Sequence, residues 1–421
     1  MIAAAAALLA ASACTTSNAP TNTPAAGDRT GVTDTTIKVG THTPLTGPAA
    51  SSYGKIAIAT KAYFSYINSK GGVFGRNIDY SINDDGYNPT NTVSVVNKLI
   101  LQDKVFAILN GLGTPTHSAV LSTIAENGVP DLFVASGSVL WNQPSKYKTT
   151  FGYQTNYVID YKIIGDYVKT NFPGKKVCSF VQSDDFGSDS LNGLKIGLGA
   201  DPAAQDTYAV GATSFVAQMT KFKTAGCEVM VTATLTAYTG LAIATSASLQ
   251  FMPTWLSSGT GCDYQTLVAG AALKAHPELA NGLICTGYGP LPADTSNPWV
   301  AGFKKINDQF NSQNPFDGQA LYGFGIGFTF VQALQKAGKD LTREGLVKAV
   351  ESGGFTGAGF APLVYSATNH GGYQGARMTK ITDGKQAFFG NTRTTDDKNG
   401  PISDYTAAAS NPPADMIPTA G

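Results

Sequence analysis

From Thr36 onward, short β-branched runs alternate with amphipathic stretches of helical period. This alternation is typical of a parallel sheet with helices on both faces. A first unit is predicted from strands and helices at 37–40, 55–68, 78–83, 91–102, 105–109, 118–127 and 131–135. After a Tyr-rich stretch the pattern restarts at 176–182, 188–198, 207–210, 217–225, 228–232, 240–249, 254–256 and 282–285. The sequence therefore predicts an α/β protein with two doubly wound units in series.

Two such units that face each other would share one cleft, because a doubly wound sheet binds ligands outside the carboxyl ends of its strands. Hydrophobic residues make up 43% of the chain, which is enough for large buried cores. The 29 Lys and Arg residues balance 29 Asp and Glu, so the basic surplus of nucleic-acid-binding proteins is missing. Beyond Leu9, no apolar run approaches the roughly 20 residues that span a bilayer.

The first residues predict export. Residues 1–13 are small and apolar, and they end in Ala-Ser-Ala immediately before Cys14. This arrangement indicates a lipoprotein signal peptide over 1–14 with lipidation at Cys14, and the alternative is an ordinary signal peptide with an incidental cysteine. Residues 15–35 are rich in Thr, Ala, Asn and Pro and are expected to form a disordered tether. The folded body would then be held at the membrane by a lipid anchor only.

The other four cysteines are compatible with three disulfide pairings in an exported protein. We favour Cys178 with Cys227, because the first and third strands of the second unit are neighbours in the flavodoxin-like order. Cys262 and Cys285 flank one helix and would tie it to the sheet edge. None of the cysteines has CxxC spacing and the four histidines are scattered, so no metal site is expected.

Motifs of common enzyme classes are missing: the sequence has no GxSxG, no GxxxxGK[ST] and no HExxH. Two acidic pairs, Asp84-Asp85 and Asp184-Asp185, resemble paired catalytic carboxylates, but each closes a strand, where Asp commonly accepts hydrogen bonds from nearby backbone. The glycine-rich run 323–328 lies inside a helical pattern, where small residues permit close packing. No catalytic residue and no cofactor is predicted.

Several motifs in order resemble the extracytoplasmic solute-binding proteins of branched-chain amino-acid ABC importers. They are Pro44-Leu45-Thr46-Gly47-Pro48, Tyr53-Gly54, Ile67-Asn68, Gly71-Gly72-Val73-Phe74-Gly75-Arg76, Asp84-Asp85, Asn88-Pro89, Gly128-Val129-Pro130, Asp184-Asp185-Phe186-Gly187 and Asp340-Leu341-Thr342-Arg343-Glu344. The resemblance covers about residues 36–392. It implies a type I periplasmic-binding fold of two α/β lobes joined by three crossovers. The first lobe would comprise 36–154 and 288–362, the second 155–287 and 363–395, and 396–421 would be an irregular tail.

The resemblance also implies a ligand site between the lobes. Its residues are expected to be Tyr53, Leu112, Gly113, Thr114, Ala135, Ser136, Gly137, Ser138, Trp141, Phe186, Leu235, Gly259 and Tyr288. In this reading Leu112 to Thr114 bind a carboxylate, because glycine permits close approach and the following helix presents unpaired N–H groups. Gly137 replaces the family's usual hydroxyl, so Ser136 or Ser138 would substitute for it.

The ligand class follows from a departure on the second lobe. Amino-acid-binding members carry an acid there, whereas the matching stretch here, 256–260, is uncharged. A buried ligand ammonium would lack its partner. Residues 133–137 with Trp141 resemble a subgroup that takes aromatic or apolar carboxylates. We therefore expect a small carboxylate whose uncharged body stacks between Tyr53, Trp141 and Phe186.

Other readings of the same fold stay open at this stage. The ligand could be a branched-chain or other amino acid, or the protein could be a ligand sensor, an enzyme or a purely structural surface protein. The expected partners are the ligand and ABC permease subunits, with the protein itself a monomer.

Overall fold

Two large sheets and one two-stranded sheet organise the chain in a computed structural model that describes residues 27–420. The predicted signal peptide, Cys14 and the first part of the predicted tether lie outside these residues. The strands are β1 Thr36–Thr43, β2 Asn77–Asp84, β3 Ala107–Leu109, β4 Asp131–Val134, β5 Thr150–Gly152, β6 Val177–Gln182, β7 Ala204–Tyr208, β8 Val229–Ala233, β9 Thr254–Ser257, β10 Ile284–Gly287, β11 Leu363–Ser366, β12 Asn369–Tyr373, β13 Gly375–Thr382, β14 Lys385–Thr394 and β15 Ser403–Tyr405.

Helices cover the sheets. They are α1 Ala50–Tyr53, α2 Lys55–Ser69, α3 Pro89–Asn97, α4 Thr114–Ser118, α5 Leu121–Glu126, α6 Tyr157–Asn171, α7 Asp185–Leu198, α8 Val216–Thr224, α9 Thr236–Ser248, α10 Tyr264–Ala269, α11 Pro298–Phe310, α12 Gly318–Ala337 and α13 Arg343–Glu351. Within residues 27–420, none of them combines the length and the apolar character that a membrane crossing requires.

The first lobe contains a five-stranded parallel sheet in the order β2-β1-β3-β4-β5. Its core combines the sheet with α2, α11 and α12. A Cβ atom at Gly323 would lie 2.3 Å from the carbonyl oxygen of Ile56 on α2. The glycine-rich run therefore brings α12 against α2, which confirms the expected close packing of its small residues.

The second lobe contains an eight-stranded sheet in the order β15-β14-β13-β10-β9-β8-β6-β7. The strands from β10 to β7 are parallel, and β13, β14 and β15 continue the sheet as antiparallel strands. Strand β7 begins three residues earlier than predicted, because its polar residues pair with β6 at the sheet edge, with Ala204 opposite Cys178. Such pairing carries no hydrophobic signal in the sequence.

Two disulfides join Cys178 to Cys227, as expected from strand order, and Cys262 to Cys285, the two cysteines expected to flank one helix. Their Cα atoms are 5.8 and 6.3 Å apart, which is within the range for disulfides. Cys178 lies on β6, which is the neighbour of β8, and Cys227 lies two residues before β8 begins.

The lobes are connected where the chain leaves β5, where it leaves β10 and where it passes from β12 to β13. This is the predicted arrangement of two α/β lobes with three crossovers. The last boundary differs from the prediction. The β11–β12 hairpin, assigned to the second lobe from the sequence, packs on the first, where Tyr365 donates a hydrogen bond of 2.8 Å to the Gly152 carbonyl and Tyr373 is buried in the core.

Both ends of the described chain pack on the body. In the predicted tether, Asp28 pairs with Arg343 at 2.8 Å. In the predicted irregular tail, β15 extends the second sheet, and the chain then returns to the first lobe. There Met416 is buried, and its carbonyl accepts a hydrogen bond of 2.7 Å from the Tyr63 hydroxyl. The tail thus makes a fourth passage between the lobes.

Candidate functional site

A cavity of about 210 Å³ lies between the lobes, an order of magnitude more than a single water needs. It opens at the carboxyl ends of parallel strands of both sheets, as expected for doubly wound units. Several predicted site residues line it: Tyr53, Leu112, Gly113, Thr114, Ala135, Leu235, Gly259 and Tyr288. They follow β3 and β4 in the first lobe and β8, β9 and β10 in the second, apart from Tyr53, which ends α1.

The turn from Leu112 to Thr114 is held from both sides. Gly113 has a φ of 102°, and a Cβ atom there would lie 2.5 Å from the ring of Tyr87, so the position requires glycine. The Thr114 hydroxyl is 2.7 Å from the Ser136 hydroxyl. The Gly113 N–H donates to the Ala135 carbonyl at 3.2 Å, so any backbone donor for an anion comes from the first turn of α4 and not from Gly113 itself.

A buried chain of acids and histidines supports this turn from below. His42 Nδ1 is 2.8 Å from Asp85, His42 Nε2 is 2.9 Å from His117 Nδ1, and His117 Nε2 is 2.8 Å from Asp131. All four side chains are fully buried. Gly111 lies against both histidine rings, and a Cβ atom there would come within 2.5 Å of each. The two histidines therefore fix the backbone at Gly111, just before the Leu112–Thr114 turn.

Of the predicted site residues 135–138, only Ala135 lines the cavity, and the other three lie at the contact between the lobes. Ser136 bonds to Thr114, and Gly137 lies against the ring of Tyr157. The Ser138 hydroxyl donates to Asp189 of the second lobe at 2.7 Å. Neither Ser136, Gly137 nor Ser138 is in the cavity wall. These residues position Thr114 and join the two lobes.

Trp141 and Phe186 do not line the cavity, so stacking of the ligand between them is wrong. Trp141 is buried in a small cluster of its own in the first lobe, and its ring meets His117 edge-on at 5.0 Å. Phe186 lies in the first turn of α7 and packs behind Tyr157, with ring centroids 4.4 Å apart. Tyr157 stands between Phe186 and the cavity and forms the wall in its place.

Aromatic residues that the sequence analysis did not assign form much of the wall. With Tyr53 and Tyr288 included, the aromatic lining consists of Tyr53, Tyr87, Tyr153, Tyr157, Tyr288, Tyr322, Tyr373 and Phe388. Tyr153 and Tyr157 belong to the Tyr-rich stretch between the two units. The high tyrosine content of this stretch is the sequence feature that could have indicated aromatic residues in the cavity wall. Tyr322 and Tyr373 come from elements far along the chain, and only the fold brings them here.

Two carboxylates of the second lobe line the cavity, and both lie outside the uncharged stretch 256–260. Asp160 lies in the first turn of α6, and Asp263 precedes α10. Asp263 has a structural role, because it accepts a hydrogen bond from the Thr266 N–H at 2.9 Å and caps α10. Burial raises the pKa of Asp263, and burial raises the pKa of Asp160 to about 7. Among the described lining residues there is no Lys, Arg or His.

In the acidic pairs that resembled catalytic groups, Asp84 and Asp184 are turn and cap residues, as preferred from the sequence, and Asp85 belongs to the buried chain with His42. Asp84 accepts hydrogen bonds from the Leu45 N–H at 2.8 Å and from the Thr46 hydroxyl at 2.6 Å. Asp184 caps α7 by accepting from the Phe186 N–H at 3.0 Å. These bonds explain both positions without catalysis.

The chain is similar to known binding proteins over most of its length. The family profile described as periplasmic binding protein matches residues 36–386. The Leu/Ile/Val-binding protein homolog 1 of Brucella suis biovar 1 is 25% identical over 364 residues, which cover 84% of this chain and 93% of that protein. The Leu/Ile/Val-binding protein homolog 2 of Brucella abortus is 28% identical over 254 residues, covering 56% of this chain and 65% of that protein.

Solved structures share the fold. A branched-chain amino acid ABC transporter protein from Thermus thermophilus, solved with bound valine, superposes with a TM-score of 0.78 at 18% identity, covering 86% of this chain and 98% of that one. A fatty acid ABC transporter substrate-binding protein from Thermomonospora curvata gives 0.76 at 22% identity, covering 90% and 98%. Proteins titled for quite different ligands thus have this architecture.

Proposed function

The chain belongs to the periplasmic binding protein family, and we propose that it is the substrate-binding component of an ABC importer, which captures a small carboxylate between two closing lobes. The cavity between the lobes carries this proposal. It is large enough for an organic ligand and lies where both sheets present the carboxyl ends of their strands. Binding, and not turnover, is the function, since the polar groups around the cavity are explained as caps, turns and ligand contacts.

Closure is the functional step. Tyr53 of the first lobe bonds to the Thr260 carbonyl of the second, and Ser138 bonds to Asp189. A ligand that touches both lobes stabilises the arrangement in which these bonds form, by its differential affinity for that state. The closed protein would then be recognised by the permease subunits of the importer.

The carboxylate of the ligand would lie at the Leu112–Thr114 turn. The Thr114 hydroxyl, which Ser136 positions, and the first-turn N–H groups of α4 are the donors for the carboxylate at this end of the cavity. The eight aromatic rings of the wall supply apolar surface for the ligand body. A carboxylate held by neutral donors explains how an anion is bound in a wall without Lys, Arg or His.

An amino-acid ligand is the second candidate, and one observation favours it. The wall contains carboxylates after all, at Asp160 and Asp263, so a ligand ammonium would not lack a partner. The names of the Brucella relatives, which refer to leucine, isoleucine and valine, point the same way.

Membership of this family implies export from the cytoplasm. We propose that the exported protein is a monomer held at the cell membrane by a lipid on Cys14. Metabolic labelling with a fatty acid tests this directly, because Cys14→Ser should abolish incorporation of label while leaving export of the protein unchanged.

The ligand class is tested by thermal melting with and without small carboxylates and amino acids, followed by native mass spectrometry of protein purified from its own host. A co-purified small acid, released unchanged on denaturation, is the expected result. Release of a chemically altered ligand would indicate an enzyme, and a protein that binds no small molecule under either condition would contradict the proposal.

A further inference from the structure

The buried chain behind the Leu112–Thr114 turn has three hydrogen bonds in series. Its members, in order of contact, are Asp85, His42, His117 and Asp131, and the contacts measure 2.8, 2.9 and 2.8 Å. Each hydrogen bond needs one proton between its two heavy atoms. Two neutral imidazoles bring one N–H each, and ionised carboxylates bring none. Neutral histidines therefore supply two protons for three hydrogen bonds.

The contact between the two rings is the one that lacks a proton. If His42 Nδ1–H donates to its acid and His117 Nε2–H donates to the other, two ring lone pairs face each other across 2.9 Å. Water does not relieve this contact, because all four side chains are fully buried. Buried polar atoms at such a distance are normally hydrogen-bonded. The geometry accordingly calls for a third proton in the chain.

The two ends of the chain differ in how their carboxylates are held. Both oxygens of Asp85 have donors, since Oδ1 accepts the Tyr87 N–H at 2.9 Å and Oδ2 accepts from its histidine. Asp131 Oδ2 contacts His117 and Thr150, but Asp131 Oδ1 is buried and has no partner among residues 27–420. A buried carboxylate with one bare oxygen is the costlier anion. The third proton therefore belongs at the Asp131 end.

The chain is joined directly to the backbone of the turn. The His42 carbonyl accepts the Leu112 N–H at 3.1 Å, and the His117 N–H donates to the Gly113 carbonyl at 3.0 Å. A change in the separation of the two rings would therefore move the turn. The described cavity lining has no Lys, Arg or His, so no cation of the wall offsets negative charge that is added behind the turn.

We propose that the chain holds one proton more than two neutral imidazoles carry, that His117 and Asp131 share it, and that its loss weakens carboxylate binding at the Leu112–Thr114 turn. The effect on binding rests on the proposed function, whereas the proton itself does not. Loss of the proton adds a negative charge behind the turn and sets two lone pairs against each other. His42 and His117 are thus positioning residues, which act through the backbone and do not touch the ligand.

Other titratable groups near the chain and the cavity must be separated from this proton. Burial lowers the pKa of His42, in agreement with its place as the neutral ring, and the charged groups that act on it are His117, Asp85 and Asp131. Burial raises the pKa of Tyr87 well above its usual value, so this phenol stays neutral. Burial raises the pKa of Asp160, in the cavity wall, to about 7, and its ionisation would also repel an acid. Binding is therefore measured in Asp160→Asn as well as in the wild-type protein.

Nitrogen-15 NMR of the ligand-free protein tests the number of protons. Shifts and one-bond N–H couplings of the two rings show which nitrogens carry hydrogen. We expect a proton on Nδ1 of His117 and a bare Nε2 on His42. Two bare nitrogens at this contact would mean that the chain holds only two protons, and a proton on His42 Nε2 would place the third one at the wrong end. Either result would overturn the proposal.

Calorimetry with 3-phenylpropionate and 4-methylpentanoate tests the effect on binding from about pH 6 to 9.5, where both acids are ionised. In Asp160→Asn the affinity should fall on the alkaline side, with a limiting slope of about tenfold per pH unit for one proton. Binding should also take up a proton, because the acid favours the protonated chain. The measured heat should therefore change with the ionisation enthalpy of the buffer.

Asp131→Asn separates the proton from the packing. The asparagine amide can donate to His117 Nε2, which lets the His117 Nδ1–H donate to His42, so that all three hydrogen bonds form without an extra proton. This variant, made in the Asp160→Asn protein, should keep the affinity measured near pH 6 and lose the alkaline decrease. Asp103→Asn in the same protein is the control, because Asp103 pairs with Lys98 at the surface of the first lobe; it should keep the decrease.

The outcomes distinguish this proposal from the proposed function. An alkaline decrease that persists in Asp131→Asn, or an affinity that this folded variant loses at every pH, would reduce the chain to a packing role. If Asp131→Asn does not fold, the NMR spectra and the buffer dependence of the unsubstituted chain still decide. If neither acid binds at any pH, the carboxylate function fails for these ligands, and the spectra alone decide whether the third proton is present.

Discussion

The hydroxyl of Tyr53 donates a hydrogen bond of 2.7 Å to the carbonyl oxygen of Thr260, which belongs to the other lobe. The same hydroxyl accepts the N–H of Thr236 at 3.2 Å. Because the Tyr53 ring also forms part of the cavity wall, one side chain both contacts the ligand space and joins the lobes. Ligand contact and lobe closure are thus linked through a single residue.

Removing this hydroxyl should weaken ligand binding by destabilising the closed state. In Tyr53→Phe the buried Thr236 N–H loses its partner, at a cost of about 1 to 3 kcal/mol. Calorimetry with the ligand that gives the largest melting shift measures the loss. Tyr80→Phe is the control, since its hydroxyl bonds to Leu109 within the first lobe. Equal losses in both variants would mean that Tyr53 does not act through closure.

Thr114→Ala should weaken the binding of carboxylates by about 1 to 3 kcal/mol, because a hydrogen bond to a charged group is lost. Isothermal calorimetry with the acid that binds best provides the measurement. Thr60→Ala serves as the control, because Thr60 is also buried but does not line the cavity, and its hydroxyl donates to the Gly323 carbonyl between α2 and α12. An unchanged affinity in Thr114→Ala would remove the turn from the site.

The contribution of the buried histidines His42 and His370 to stability should fall as the pH is lowered below about 6.5, the pKa of an unfolded histidine, whereas Asp160, whose pKa is raised by burial to about 7, contributes in the opposite direction. Burial lowers the pKa of His42, and burial lowers that of His370. The unfolded chain therefore takes up protons that the folded protein does not, so this contribution is complete above pH 6.5 and is lost as the pH falls toward the folded pKa.

Denaturant unfolding at several pH values between 5.2 and 7.5 measures the free energy of unfolding. Each of these two buried histidines should lower this free energy by up to about 1.4 kcal/mol for each pH unit of acidification. His42→Gln should flatten part of the dependence. His276→Gln, at an exposed position, should leave it unchanged. A pH dependence that is the same in His42→Gln as in the wild-type protein would contradict the assignment.

Met416→Ala should destabilise the first lobe by about 2 to 5 kcal/mol, because the side chain is buried in its core. Thermal melting gives the size of the effect. Met252→Ala is the control, since Met252 is 68% exposed and its truncation is expected to change stability by less than about 0.5 kcal/mol. Similar melting temperatures for both variants would show that the tail does not contribute to the core.

The parts of the fold that follow a local pattern could be predicted from the sequence. Strands β1, β2 and β6 and helix α2 follow hydrophobic periodicity, and Cys178 with Cys227 follows from strand order. The lining position of Thr114 follows from the family motif. Periodicity does not say which way an aromatic side chain faces, so Trp141 and Phe186 were placed in the wall although both are core residues.

Asp160 could not be identified from the sequence, because a single acid in the first turn of an amphipathic helix is usually a solvated, dipole-stabilised group. Its burial depends on β10, which meets α6 only in the folded second lobe. The β11–β12 hairpin was assigned to the wrong lobe for a related reason. The contacts that place it, with Gly152 and Tyr153, are long-range and leave no local signal.

The bond between Tyr63 and Met416 spans 353 positions of the chain. A chain that emerges from its amino end cannot complete the core around α2 until residue 416 is available, whereas the parallel strands β6 to β10 of the second lobe are contiguous in sequence. During synthesis or translocation, the second lobe should therefore fold before the first. The first lobe, although its amino-terminal part is synthesised earlier, should become resistant to proteases later.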